Sequence, residues 1–303
     1  MLVSRRRALA VSSAAFAFGP AFAAQAGQKI TVAFAGSMGV VMDQGIGPAF
    51  QAKTGTQYQG IGQPALALAH LLIAKSLSAD VFISVSPAPI KLVEAAKLTA
   101  QAVPVASTEI VLTYSPKSKF AASLAAAGDK WTDVLAEPGL RFGRTDPNTD
   151  PQGQYVLYAL QLAALYYNKP GLAAKIAGPQ ENNQDIFAET SLLARLQDDE
   201  IDATLGYESA VISQKLPYVK LPAEINFSDP ALAKTWYAKA SLTVTAKGVT
   251  KTLHPGPLVF YATALKDAAN PQQAAAFVAF LQSPEGQGLF AKYGYNPGKG
   301  LAV

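Results

Sequence analysis

Thr145-Asp-Pro-Asn-Thr-Asp150-Pro-Gln-Gly153-Gln-Tyr155 is the stretch best equipped for chemistry, and it runs straight into the apolar segment Val156 to Tyr167. A turn of Asp, Pro and Gly followed by such a segment is a helix start, with Asp150 at the cap and Pro151 in the first helical position. The first backbone N–H groups of a helix have no partner inside it, so they attract an anion in front of them. A capped structural helix is the plain alternative. Two further glycine-bearing starts favour the anion reading. Ser37 lies in Gly36-Ser37-Met38-Gly39, and Gln63 lies in Gly62-Gln63-Pro64. Hydroxyl and N–H dipoles can hold an oxyanion without Lys or Arg by replacing its water.

Catalysis is poorly supplied. The only histidines are His70, inside a helical pattern, and His254, in a Pro/Gly loop, and there is no cysteine. No nucleophile elbow, Walker loop or H-E-x-x-H motif is found, and without a positioned His, Cys or metal cluster hydrolytic and redox chemistry lack agents. Tyr166-Tyr167 could bind Fe(III) as adjacent phenols, but they end a helix far from its N-terminal mouth, where packing is the simpler role.

Asp150 and Glu208 raise an electrostatic problem. A carboxylate beside a dianion is repelled by several kcal/mol, since a single pair of like charges at 4 Å costs about 4 kcal/mol at an effective dielectric near 20. Either one carboxyl is protonated, or the carboxylate oxygens bind the central atom of the oxyanion directly. The second route needs an atom that expands its coordination, as Mo(VI) and W(VI) do and sulfur does not. A plain helix-start role for Glu208 is the alternative.

These groups need a scaffold. Lys29–Ala35, Thr56–Gly60 and Ala79–Ser84 read as strands, alternating with helical segments over 40–54, 65–76 and 88–96. That alternation predicts βαβ units and a parallel sheet. A second block follows, with a strand at Glu109–Tyr114, a helix near 131–135, a strand at 141–143, the long helix to Tyr167, a helix over 191–198, a strand at 202–207 and a helix over 208–214. The strand Pro257–Thr263 and two closing helices return the chain. Two α/β lobes around a cleft follow, joined at Glu109–Tyr114 and Pro257–Thr263, with ligands expected beyond the strands' carboxyl ends. The expected division is residues 1–26 as a signal peptide, 27–108 with 258–303 as the first lobe, and 109–257 as the second.

Residues 1–26 have the composition of an export signal. Arg5-Arg6-Arg7 precede an apolar run from Ala8 to Phe18, too short for a bilayer, and small-residue cleavage sites at Ala23 and Ala26 follow. The arginine pair suggests the twin-arginine route, and Sec export fits as well. Of the 25 basic residues in the chain, three leave with this segment, so 22 remain against 21 acidic ones, a net charge of +1. No basic patch marks a nucleic-acid partner. The lack of cysteine excludes disulfides, thiolate metal sites and a lipid anchor. The expected location is the periplasm.

The chain resembles the periplasmic molybdate/tungstate-binding proteins of ABC importers, in their tungstate-type branch. The matching segments include Ala35-Gly-Ser37-Met38, Ala79 to Ser84, Asp150-Pro-Gln-Gly153, Gly206-Tyr-Glu208-Ser-Ala-Val211, Tyr218 to Phe227, Trp236 to Ser241, Pro257 to Tyr261 and Ala275 to Gln287. The resemblance implies an α/β type II periplasmic-binding-protein fold, two lobes with a hinge of two crossover strands. It implies donation from Ser37, coordination of the oxyanion's Mo or W by Asp150 and Glu208, and a hydrogen bond from Tyr237. Two positions depart from the family: Gln152 stands where Cys is common, and no Ser or Thr stands near Gln63 to Ala65, where Gln63 or backbone amides would substitute. The expectation is a monomeric, non-catalytic receptor without a cofactor, capturing tungstate or molybdate and delivering it to an ABC permease. Receptors for a sulfate-like anion or ferric iron, and a periplasmic enzyme or sensor domain, are the alternatives.

Overall fold

The computed structural model describes residues 29–303 except 149, 183, 247 and 248; the expected signal peptide lies outside the described residues. A six-stranded sheet has the order β11-β4-β10-β3-β1-β2. Its strands are β1 (Lys29–Ala35), β2 (Gln57–Gln63), β3 (Val81–Ser84), β4 (Val103–Ser107), β10 (Val259–Ala264) and β11 (Asn296–Pro297). A three-stranded sheet, β6-β5-β7, is built from β5 (Ile110–Tyr114), β6 (Ala203–Tyr207) and β7 (Tyr218–Lys220). A hairpin of β8 (Leu242–Ala246) and β9 (Val249–Leu253) stands apart.

Successive residues of β1 alternate between two cores, as a pleated strand requires, the large β-branched and aromatic ones on one side and alanines on the other. Ile30, Val32 and Phe34 pack on one side with Phe50, Phe277 and Phe290, while Ala33 and Ala35 pack on the other with Leu68, Leu72 and Ile90. Helices Gly47–Thr54, Pro271–Gln282 and Pro284–Lys292 thus cover one face, and helices Ala65–Ile73 and Pro87–Ala95 the other. Parallel strands buried on both faces read as continuous apolar runs, which is why β3 is fully buried.

The parallel expectation holds only in part. β2, β1 and β3 are parallel, but β10, β4 and β11 pair antiparallel, and so do β5, β6 and β7. Antiparallel β10 follows from its place in the chain: it brings the polypeptide back from the second sheet, so it enters the first from the opposite end. The crossing is short. β4 ends at Ser107 and β5 begins at Ile110, while β10 begins at Val259. Thr108 N donates to Leu258 O at 3.0 Å, and Leu258 N donates to Phe227 O at 2.9 Å, so the two segments lie side by side.

The second lobe is organised by the helix Pro151–Tyr166. Val156, Leu157, Ala159, Leu160 and Ala163 bury it against Leu112, Leu205 and Phe227. Gly153 lets its first turn meet the preceding loop: a Cβ there would lie 2.4 Å from Thr145 O and 2.9 Å from Pro147 N. Gly153→Ala is therefore expected to destabilise the protein by about 1–3 kcal/mol, the usual cost of forcing extra atoms into packed backbone, measured as a lower urea midpoint at unchanged slope.

Candidate functional site

β1, β2 and β3 are adjacent and parallel, so their carboxyl ends lie along one edge of the sheet. A helical turn follows each of them. Gly36–Met38 follows β1, Ala65–Ile73 follows β2 after Pro64, and Pro87–Ala95 follows β3 after Ser86. From the second lobe, Asp150 and the helix Pro151–Tyr166 face the same space. These elements enclose a cavity of ≈ 460 Å³. Ser37, Gln63 and Ser86 line it from the first lobe, and Asp150, Pro151 and Tyr207 from the second.

Among the described residues no lysine, arginine or histidine lines this cavity, and Asp150 is its one ionisable carboxyl. The longer helices that start at its edge, Ala65–Ile73, Pro87–Ala95 and Pro151–Tyr166, each turn the partial positive charge of an N-terminus toward it. Ser37 is exposed, and its backbone carbonyl accepts the Tyr295 hydroxyl at 3.0 Å, which fixes the turn while leaving the Ser37 hydroxyl to the cavity. Ser84 Oγ donates to Ser86 O at 2.8 Å and accepts from Ser86 N at 3.3 Å. That small loop places Ser86 at a helix cap where its own side chain makes no capping bond. Ser86 was not singled out from sequence. Its signal, Ser84-Val-Ser86-Pro87 between a strand and a helix, is the usual pattern of a structural cap.

Asp150 has the extended φ of −126° expected of a cap and accepts Gln152 N at 2.8 Å. Burial raises its carboxyl above the ordinary range, with the Gln152 N–H pulling the other way. Gln152 is buried, and its amide nitrogen lies 3.4 Å from Leu205 O, tying the helix start to β6.

The structure does not bring Glu208 or Tyr237 to this cavity. Glu208 is 3% exposed. Its Oε1 pairs with Lys220 Nζ at 2.9 Å and its Oε2 accepts from Asn296 Nδ2 at 3.1 Å. Lys220 also pairs with Glu109 at 2.8 Å, and Asn226 donates to Glu109 at 2.9 Å. Desolvation works against the Lys220 charge, yet its bonds to Glu109 and Glu208 carry its pKa above the ordinary lysine value. The physical reason for this placement is local. Tyr207 ends β6 with its side chain toward the cleft, so Glu208, the next residue, is directed to the hinge side and takes the cation there. Tyr237 is fully buried in the second lobe's core, against Phe227 at 5.0 Å between ring centroids. Its hydroxyl donates to Ala223 O at 2.7 Å and accepts from Asp229 N at 3.2 Å, so both of its roles are taken. Tyr167 accepts from Trp131 Nε1 at 3.2 Å, a packing role. Among the described residues no group of three or more His, Asp or Glu side chains is placed to hold a metal ion.

The sequence matches the bacterial extracellular solute-binding proteins over residues 30–296. It is similar to the molybdate/tungstate-binding protein WtpA of Pyrococcus abyssi, at 34% identity over 204 residues, covering 61% of this chain and 58% of that protein. The chain thus spans less than two thirds of the curated relative's length. Among solved structures, the fold is similar to the periplasmic molybdate-binding protein of Azotobacter vinelandii, with a TM-score of 0.60, 16% identity, and coverage of 89% of this chain and 100% of the other. It is also similar to iron-bound HitA of Pseudomonas aeruginosa, with a TM-score of 0.56, 18% identity and coverage of 90% and 88%. At these identities the structural likeness establishes a type II periplasmic-binding fold.

The raised Asp150 pKa has a defined consequence for stability. The folded protein keeps this proton to higher pH than the unfolded chain does. The contribution is fully present below the unfolded carboxyl pKa of about 4 and is lost as pH rises through the folded value. Asn keeps the cap but carries no charge. Asp150→Asn is expected to be more stable than the parent at pH 7, with the gap closing toward pH 4, in ligand-free thermal melts across that range.

Proposed function

We propose that this chain, which belongs to the bacterial extracellular solute-binding protein family, is an exported receptor that captures molybdate or tungstate between its lobes and delivers it to an ABC permease. It works as a monomer, without a cofactor and without catalysis. One observation carries the reading: helix starts from two lobes converge on a cavity lined by Ser37, Gln63 and Ser86 and, among the described residues, by no basic side chain. Such a site binds a small oxyanion through neutral dipoles, which replace its hydration without placing a cation beside it.

Asp150 is the residue that separates oxyanions. Protonated, it donates to an oxo group; ionised, it must bond to the central atom or repel the guest. Its raised pKa favours the first role, and affinity should then weaken as pH rises through the folded Asp150 value. Glu208 contributes through the hinge, where it joins Lys220 to Asn296.

Calorimetric titration with tungstate, molybdate, sulfate and Fe(III) tests the assignment. Tungstate and molybdate are expected to bind with Kd below about 1 μM, some 8 kcal/mol or more, and weaker binding of both would reject it. Ser37→Ala and Ser86→Ala should each reduce affinity by roughly tenfold, the value of one hydrogen bond to a charged group. Glu208→Gln should change it by less than about threefold, within 1 kcal/mol. A loss from Glu208→Gln as large as that from Asp150→Ala would mean that both carboxylates reach the guest.

A further inference from the structure

A second cavity of ≈ 460 Å³ adjoins the first, and Val85, Ser86, Pro151 and Tyr207 line both. A tetraoxoanion displaces roughly three or four water volumes, on the order of 100 Å³, so the first cavity alone is ample for it. The second has a different lining. Tyr155, Tyr158, Leu253 and Leu258 make it mainly aromatic and apolar, and among the described residues His254 and Lys91 are its basic groups and no carboxylate lines it. This is the composition of a pocket for an organic molecule: an apolar body with a few polar anchors.

Tyr158 supplies the independent sign of a missing partner. It is 2% exposed, and its buried hydroxyl has no hydrogen-bond partner among the described residues. A buried unpaired hydroxyl is unfavourable unless something completes it. Burial pushes its pKa up to about 12, so it remains a neutral donor. By contrast, the neighbouring Tyr155 hydroxyl is satisfied by Gly256 O at 3.0 Å, and His254 Nδ1 lies 3.0 Å from Ala240 O. Lys91 is exposed at the chamber and makes no ion pair among the described residues.

We propose that the second chamber holds the organic body of a chelated oxyanion, an aromatic 1,2-diol bound to the same molybdenum or tungsten whose oxo groups face Ser37 and Ser86. The inference rests on the oxyanion reading of the first cavity. The chelate forms in solution, before capture. Both phenolic oxygens bond to the metal, one oxo group leaves as water with the two phenolic protons, the overall charge stays at minus two, and no electron is transferred. The ring lies against the tyrosines, where aromatic contact is favourable, and Lys91 offsets part of the charge.

The test is calorimetry on the exported chain with three probes: tungstate alone, catechol alone, and tungstate premixed with equimolar catechol. The premixed chelate is expected to bind at least about tenfold more tightly than tungstate, and catechol alone only weakly. Tyr158→Phe, which removes an unpaired hydroxyl and should fold normally, and Ala88→Phe, which fills the chamber from an exposed position, should each reduce that advantage about threefold or more while tungstate alone binds as before. Equal affinity for tungstate with and without catechol would overturn the chamber's assignment, as would an advantage that both variants leave intact. Failure of tungstate in every form would instead overturn the oxyanion reading.

Discussion

Everything at the candidate site depends on one constraint: β1, β2 and β3 are parallel neighbours, so the helical turns that follow them must begin at one edge of the sheet. Each turn brings unpaired N–H groups and a small polar residue to that edge. The second lobe then needs to add only one more helix start, at Pro151, to surround a guest with dipoles. An anion can be desolvated there without a fixed cation, whose strong field would hold any anion regardless of its shape. The same edge explains why glycine and serine, rather than arginine, appear at Gly36, Ser37, Gly62 and Ser86.

Asp150 and Glu208 show how two acidic residues at helix starts of the second lobe acquire opposite roles. Asp150 caps the long helix, and burial near the cavity favours its neutral form. Glu208 begins a helix one residue after Tyr207 and is neutralised by Lys220 beside Glu109. Removing Lys220 would leave two buried carboxylates facing each other, so the cation is a structural requirement of the hinge. The Asn296–Glu208 bond joins β11 of one sheet to the first helical residue after β6 of the other. Tyr295, the residue before Asn296, holds the Ser37 carbonyl. The C-terminal segment therefore touches both the cavity turn and the hinge carboxylate.

Much of the fold was legible along the chain. The strand at Lys29–Ala35 has the bounds read from its β-branched run, and the helix opened by Asp150-Pro151 lies where its cap signals put it. Elements with contradictory or faint local signals were missed. β4 contains Pro104, which argues against a strand, and its partner β10 accommodates it with a register shift between Phe260 and Tyr261. β7 has three residues, and the hairpin β8–β9 is a short alternating pattern rich in threonine. Such strands are defined by their partners rather than by their own composition.

What the sequence alone determined is the part governed by local chemistry: alternating α/β elements, helix starts with small polar residues, a poor supply of catalytic groups, and the placing of Ser37, Gln63 and Asp150 at or beside such starts. Tertiary structure decided which of these meet. It brought Ser86 into the cavity, turned Glu208 to Lys220 and Tyr237 into the core, and set an aromatic chamber beside the polar one. The reason is that a side chain's direction at the end of a strand, and the charge waiting on either side of it, depend on residues more than ten positions away, and spacing along one chain carries no record of them.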